Sequence, residues 1–192
     1  MIDLESLKKR ILIDGKVADG NILQVSSFLN HMVDINLLSN IGKEFAAIFK
    51  DCLPTKIITI EASGIPIATM CALELQIPFI IAKKYISYNL TDDVYSTEIY
   101  SYTKQKSFNI IVLKELINQN DRLLIIDDFL AYGTAIKGIM HIIEEAKATL
   151  VGVGICIEKS YQQGASELLS QGVNLHSLVK INSLENGIIT FK

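Results

Sequence analysis

The chain has 192 residues and a formal net charge of −3, with 49% apolar and 20% charged residues. That length suits one domain with a substantial core and is too short for two ordinary ones, and the composition is globular, not disordered. No apolar run reaches the length of a bilayer span and no Lys/Arg cluster is dense enough for a nucleic-acid face, which excludes both partners.

Met1 to Arg10 reads as an amphipathic helix with no signal-peptide core, which predicts a cytoplasmic protein; Lys8-Lys9-Arg10 is its solvated side. Asp14-Gly15-Lys16 is a turn, and Ile22-Leu23-Gln24-Val25 has strand character. Leu37, Leu38, Ile41, Phe45 and Ile48 recur at helical spacing and predict a helix from about Asn36 to Phe49. Lys56-Ile57-Ile58-Thr59-Ile60 reads as a buried strand, with Glu61-Ala62-Ser63-Gly64 as its exit turn. Taken alone, that turn is a routine β–α connection. Ile65 to Leu75 is the crossover helix, and Pro66 sits in its first turn, where a missing N–H is harmless. A second strand, Pro78 to Ala82, ends at Lys83-Lys84, which by themselves read equally as a solvated pair. From Tyr85 to Asp93 the chain is polar and aromatic without a period, and Glu98–Thr103 and Asn109–Leu113 look like a hairpin.

Leu123-Leu124-Ile125-Ile126 then runs straight into Asp127-Asp128, followed by Phe129-Leu130, the small-residue turn Ala131-Tyr132-Gly133, and a helix from Thr134 to Ala146. A continuous apolar run fits a parallel strand covered on both faces. A helix N-terminus after the turn favours a phosphate, through free backbone N–H groups and the helix dipole. Carboxylates beside an anion cradle suit a ligand with both hydroxyls and a phosphate. Leu150–Ile157 is a further strand, in which Gly152 and Gly154 allow close approach of neighbouring backbone. A short helix near Glu167–Ser170 and a strand near Leu175–Ile181 follow.

Strands alternating with helices predict an α/β, doubly wound sheet with ligands at the carboxyl ends of the strands. Glu61-Ala62-Ser63-Gly64, Lys83-Lys84, Asp127-Asp128 and Glu158-Lys159-Ser160-Tyr161 would then converge on one sheet edge. Cys52, Cys71 and Cys156 show no C-x-x-C spacing, and the last two lie in apolar runs as small core residues. His31, His141 and His176 have no metal-ligand spacing, so no protein-caged metal is expected.

The segment from Leu123 to Ala135 resembles the phosphoribosyl-pyrophosphate (PRPP) signature of the type I phosphoribosyltransferases. The resemblance implies that family's fold, a mainly parallel twisted sheet flanked by helices with a small N-terminal hood and a flexible lid. It assigns Asp127 and Asp128 to the ribose hydroxyls, and Ala131, Tyr132, Gly133, Thr134 and Ala135 to the 5′-phosphate. Ala62, Ser63 and Gly64 would bind pyrophosphate, with Lys83 or Lys84 neutralising it, in cis or from the partner subunit of a homodimer. Mg²⁺ would arrive with PRPP and pyrophosphate, since it binds largely through substrate oxygens. One departure stands out: Tyr132 and Ala135 occupy positions where most members carry hydroxyl residues, and Thr134 is placed to replace one of them.

The Ala-x-Gly-x-Ala loop, together with Val25–His31, Ile57–Ile65, Leu90-Thr91-Asp92, Tyr100–Gln105 and Ile157–Tyr161, resembles the bacterial xanthine phosphoribosyltransferases over nearly the whole chain. This implies one domain over residues 1–192, its hood formed by about 1–35 plus a C-terminal segment. It also implies a lid from Tyr85 to Lys104, purine contacts from Leu23 and Asn30 in the hood and from Lys159 opposite, and Tyr161 stacked on the ring. Without the family pattern Leu23 is a core leucine, Lys159 a surface lysine and Asn30 a local helix cap. The implied reaction transfers phosphoribose to a 6-oxo purine, xanthine favoured. A hypoxanthine/guanine enzyme and a non-catalytic PRPP or nucleotide sensor are the alternatives. A general sugar-nucleotide-binding protein would carry G-x-G-x-x-G, which this chain lacks.

Overall fold

The computed structural model describes residues 4–18, 22–85, 93–101 and 106–192. Helix α1 spans Leu4–Asp14, strands β1 and β2 span Lys16–Ala18 and Ile22–Gln24, and a π-helical turn covers Ser26–Asn30. Then follow α2 (Ile35–Phe49), β3 (Lys56–Ile60), α3 (Ile65–Leu75), β4 (Phe79–Tyr85), β5 (Val94–Ser101) and β6 (Lys106–Leu113). The rest is β7 (Arg122–Leu130), α4 (Thr134–Glu145), β8 (Thr149–Lys159), α5 (Gly164–Ser170), β9 (Leu175–Ser183) and β10 (Thr190–Phe191).

Among the described residues, eight strands form one sheet in the order β10-β9-β8-β7-β3-β4-β6-β5. Strands β4, β3, β7, β8 and β9 are mutually parallel, while β6, β5 and β10 extend the edges antiparallel. This is the expected α/β architecture, with antiparallel edges added. Parallel register brings the carboxyl ends of β4, β3, β7 and β8 to one edge, as the four polar strand ends require.

The apolar run of β7 resolves into two faces. Leu124 and Ile126 belong to one core with Phe45, Phe49, Ile57 and Cys156. Leu123 and Ile125 belong to another with Ile58, Ile110, Ile139 and Ile142. Successive strand residues alternate sides, so a run buried on both faces must be continuously apolar. Gly152 and Gly154 have a packing reason: a Cβ there would lie 2.5 Å from the Phe49 ring and 2.9 Å from the Phe45 ring. Helix α2 thus rests its two phenylalanines directly on the β8 backbone. Cys71 and Cys156 are fully buried core residues, as read from their neighbours.

Helix boundaries follow local chemistry. Asp34 caps α2, its carboxylate accepting from Leu37 N at 3.1 Å, and α3 carries Pro66 in its first turn and stops where Gln76 turns left-handed. Helix α1 continues past Arg10 to Asp14, with which Arg10 pairs at 3.0 Å. The hood packs onto the sheet through Leu7, Ile11, Leu23, Val25, Phe28 and Leu29, which share a core with Val179, Ile181 and Leu184.

Three strands outrun their predicted ends. Strand β4 continues through Lys83 and Lys84, which pair with Ile111 and Ile110 of β6. Strand β7 carries Asp127 and Asp128 inside its ladder and ends at Leu130, opposite Glu158 of β8, which itself runs to Lys159. A ladder continues wherever backbone donors find partners, whatever the side chains. Of the expected lid, 86–92 and 102–104 lie outside the described residues, as do Leu90-Thr91-Asp92 and most of Tyr100–Gln105. Residues 94–101 form regular strand, paired along their length with β6.

At the opposite, amino-terminal end of β3 and β7, Asp121 is buried and accepts from Lys56 Nζ at 2.7 Å, Thr55 Oγ1 at 3.1 Å and Asn118 N at 2.8 Å. Burial would raise the carboxyl's pKa, but the bonds from Lys56, Asn118 and Thr55 outweigh it and hold it below its ordinary value. A depressed carboxylate stabilises the fold above its unfolded pKa, and that contribution disappears as pH falls through the folded value. Asp121→Ala strands the half-buried ammonium and is expected to cost about 2 kcal/mol at neutral pH, read as a lower denaturation midpoint.

Candidate functional site

A cavity of about 200 Å³ opens at the carboxyl edge of β3, β4 and β7, lined among others by Glu61, Ala62, Ser63, Lys84, Asp127, Asp128, Thr134 and Ala135. The exit turn of β3, one of the two lysines, the acidic pair and the start of α4 therefore share one space. Ile99, Tyr100 and Phe108 of the β5–β6 hairpin form the facing wall. Those three, and the side chain of Glu61, were not among the predicted site residues. Glu61 lay inside the motif, and Ile99 and Tyr100 inside the predicted hairpin and lid, but which hairpin side chains face the cavity depends on the pairing of β6 with β4, distant in sequence.

Adjacent strand positions face opposite sides, yet the carboxyl groups of Asp127 and Asp128 remain close. Asp128 N donates to Asp127 Oδ1 at 3.0 Å. Burial, then the neighbouring Asp128 charge, push the Asp127 carboxyl well above the usual carboxylate range, partly offset by Lys84. Burial also raises Asp128, against a hydrogen bond from the Ser63 side chain. The two crowded carboxyl groups present acceptors for paired hydroxyls. The Lys84 ammonium lies 5.3 Å from the Phe108 ring centroid, while Lys83 is exposed and does not line the cavity.

The turn at Glu61 is fixed from several directions. Its peptide to Ala62 is cis, its carboxylate accepts from Lys84 N, and its N–H donates to Ala82 O at 3.1 Å. Gly64 does not line the cavity but closes the turn from behind, where a Cβ would meet Thr59 Oγ1 at 2.2 Å and Asp127 Oδ1 at 2.7 Å. The turn and the acidic strand are thus packed backbone to carboxylate.

Gly133 takes φ +75° immediately before α4, a conformation that favours glycine. The turn delivers the amino end of a 12-residue helix to the cavity, where its first N–H groups lack helical acceptors. Thr134 Oγ1 donates to the Tyr100 carbonyl at 3.2 Å, so this hydroxyl is already engaged with β5. Of the predicted phosphate turn, Thr134 and Ala135 line the cavity while Ala131, Tyr132 and Gly133 do not; Tyr132 is 39% exposed.

The predicted base-contacting residues do not line this cavity. Leu23 is 5% exposed and lies in the core joining hood to sheet. Asn30 ends the π-helical turn and caps no helix; the cap of α2 is Asp34. Its Oδ1 is buried without a hydrogen-bond partner among the described residues, an arrangement that leaves an acceptor for a ligand N–H. Lys159 is half-buried at the end of β8, and burial lowers its ammonium pKa. Tyr161 is 43% exposed, its phenol raised by burial and by the nearby Tyr132. Lys159 stands beyond Glu158, which pairs in register with Leu130, so it belongs to the same sheet edge as the acidic pair.

Residues 35–173 match the family described as phosphoribosyl transferase domain, beginning where the hood ends. The chain is 48% identical over 188 residues to the xanthine phosphoribosyltransferase of Bacillus cereus, covering 98% of this chain and 95% of that one. It is equally 48% identical to the xanthine phosphoribosyltransferase of Acinetobacter baumannii, covering 98% of each. Among solved structures, adenine phosphoribosyltransferase from Thermoanaerobacter pseudethanolicus superposes with a TM-score of 0.75 at 19% identity, over 91% of this chain and 99% of that one. The Trypanosoma brucei adenine enzyme, solved with AMP, pyrophosphate and ribose-5-phosphate, gives 0.76 at 18% identity, over 93% and 79%. The fold, the match over most of the chain and the full-length identity agree: this chain belongs to the phosphoribosyltransferase family.

Proposed function

We propose that the chain transfers the 5-phosphoribosyl group of PRPP to xanthine, forming xanthosine 5′-monophosphate and pyrophosphate. The reading rests first on the single cavity that joins the Asp127–Asp128 pair, the Glu61–Gly64 turn, Lys84 and the amino end of α4. That grouping matches the parts of PRPP: a diol for the carboxylates, a 5′-phosphate for residues 131–135, and pyrophosphate for Ala62, Ser63 and Lys84. Mg²⁺ enters as part of the substrate, and the cavity's hard carboxylate oxygens, on Glu61, Asp127 and Asp128, are donors of the kind it accepts.

The bond from ribose C1 to the pyrophosphate oxygen breaks as a purine ring nitrogen bonds to C1 and gives up its proton to solvent, through an oxocarbenium-like transition state comparable to that of glycoside cleavage. The protein's part is positioning and electrostatics. The acidic pair holds the ribose and faces the developing positive charge, while Lys84 offsets the departing anion. Xanthine as acceptor is supported by the relatives' names over nearly the full length and by donor chemistry. An ammonium at Lys159 offers only donors, which suits oxo groups and not an exocyclic amine. The orphan Asn30 Oδ1 supplies the complementary acceptor, and Tyr161 offers a ring for stacking. Leu23 backs the hood from its core. The proposal includes a cytoplasmic homodimer, in which the exposed Lys83 is available to a second subunit.

The test is nucleoside monophosphate formation from PRPP and Mg²⁺ with xanthine, guanine, hypoxanthine and adenine in parallel. Preference for xanthine is expected, with adenine poorest. Preference for guanine or hypoxanthine keeps the reaction and overturns the base; tight PRPP binding without any turnover makes the protein a sensor.

A further inference from the structure

The exit loops of β7 and β8 leave the sheet side by side, after the last ladder pair at Leu130 and Glu158. They then meet again. Gly164 N donates to the Ala131 carbonyl at 3.0 Å, so the amino end of α5 is bonded to the turn that precedes α4. The contact is backbone against backbone. A Cβ at position 164 would stand 2.4 Å from the Ala131 oxygen, 2.7 Å from Gly133 N and 2.9 Å from the Tyr132 carbonyl carbon. From the other side, a Cβ at Gly133 would lie 3.3 Å from Gly164 Cα. Between the ladder and this bond, the second loop leaves from Lys159, the last residue of β8, and contains Tyr161 and a tight turn closed by Gln162 N to the Lys159 carbonyl at 2.9 Å.

We infer that Gly164 is a positioning residue: it braces the 131–135 turn from behind and ties it to the loop that leaves β8 at Lys159 and carries Tyr161. The inference rests on the assignment of 131–135 to the 5′-phosphate, and it adds that the phosphate turn takes its shape from a loop outside its own sequence. Non-bonded heavy atoms settle at about 3.5–4.0 Å, so a side chain at 164 displaces the turn by roughly 1 Å. None of the three atoms in its way is a flexible side-chain end that swings aside. Misplacement by about 1 Å is worth up to a hundredfold in rate. Gly172, at the far end of the same helix, has φ +76° and open space around it, so alanine there perturbs α5 without touching the turn.

Gly164→Ala is expected to raise the KM for PRPP tenfold or more with kcat reduced by a smaller factor, while Gly172→Ala lowers the melting temperature and leaves the PRPP KM within twofold. Equal PRPP KM values in the wild type and both variants overturn the brace. The wild-type enzyme gives a second reading should Gly164→Ala fail to fold. Hydrogen exchange with PRPP and Mg²⁺ is expected to slow in residues 131–137 and in 162–165 together. Protection confined to 131–137 overturns the brace alone; protection in neither segment overturns the phosphate assignment beneath it.

Discussion

Asp128→Asn is expected to lower kcat about a hundredfold, the scale on which one preorganised electrostatic partner acts in a transition state. The fold should survive. The side chain is isosteric, and the Asp128 N–H bond to Asp127 Oδ1 belongs to the backbone. What changes is charge beside the ribose, where the carboxylates face a developing cation. The pH profile carries a second signature. Asp127 is raised by burial and then by the charge of Asp128, so the amide lets Asp127 ionise at lower pH, and the acid limb of the profile moves down. Stability moves the other way from activity. Both folded carboxyls titrate above their unfolded values, so their favourable contribution is complete below the ordinary carboxylate range and is lost as pH rises through the folded values. Above the ordinary carboxylate range the raised pair therefore costs the ligand-free fold stability, and Asp128→Asn is expected to melt higher than the wild type at pH 8, with the gap closing toward pH 4. Calorimetry at the two pH values, beside steady-state kinetics, checks both halves. Undiminished turnover in this variant would remove the pair from the mechanism.

Such a trade between stability and activity marks which parts of this protein a sequence can reveal. Strand β3 and helix α3 fall at their predicted residues because punctuation agrees with period: an apolar run, then Glu61–Gly64, then a proline in the first helical turn. The acidic pair was legible because it breaks the apolar run of β7 where a buried strand has no local reason to end in charge. That β7 continues to Leu130, and β4 through its lysines, was not legible, because ladder length is decided by a neighbour distant in sequence. The β5–β6 hairpin itself was legible; that its Tyr100 and Phe108 face the cavity was not, for the same cause, since β6 is placed by pairing with β4. Thr134 illustrates a subtler loss. Its hydroxyl was expected to replace a missing phosphate contact, and it bonds instead to the Tyr100 carbonyl, a partner 34 residues away. Asn30 was open between cap and ligand contact; Asp34 takes the cap of α2, and the buried orphan Oδ1 supports the second reading.

Lys159→Ala is expected to raise the KM for xanthine ten- to hundredfold with little change in kcat, since a hydrogen bond to a charged group is worth about 1.5–3 kcal/mol and each 1.4 kcal/mol or so is tenfold in affinity. A change in KM alone is the mark of binding lost equally in ground and transition states, which is what a contact on the far side of the base from C1 predicts. Loss of structure would not imitate it. Glu158, on the opposite face of β8, is buried and accepts from Ser160 and from Ser177 Oγ at 2.6 Å, with Lys180 at 3.9 Å; this network anchors the strand end whether or not residue 159 has a side chain. Discrimination against adenine should shrink, because the variant loses the donor that rewards an oxo group. The wild type should also lose xanthine affinity at alkaline pH earlier than an exposed lysine allows, since burial lowers the Lys159 pKa. Comparing pH profiles of wild type and variant cancels the titration of the base itself, and that extra alkaline loss should vanish in the variant. An unchanged xanthine KM in a folded Lys159→Ala protein would detach the β8 exit from the base and leave specificity to the hood.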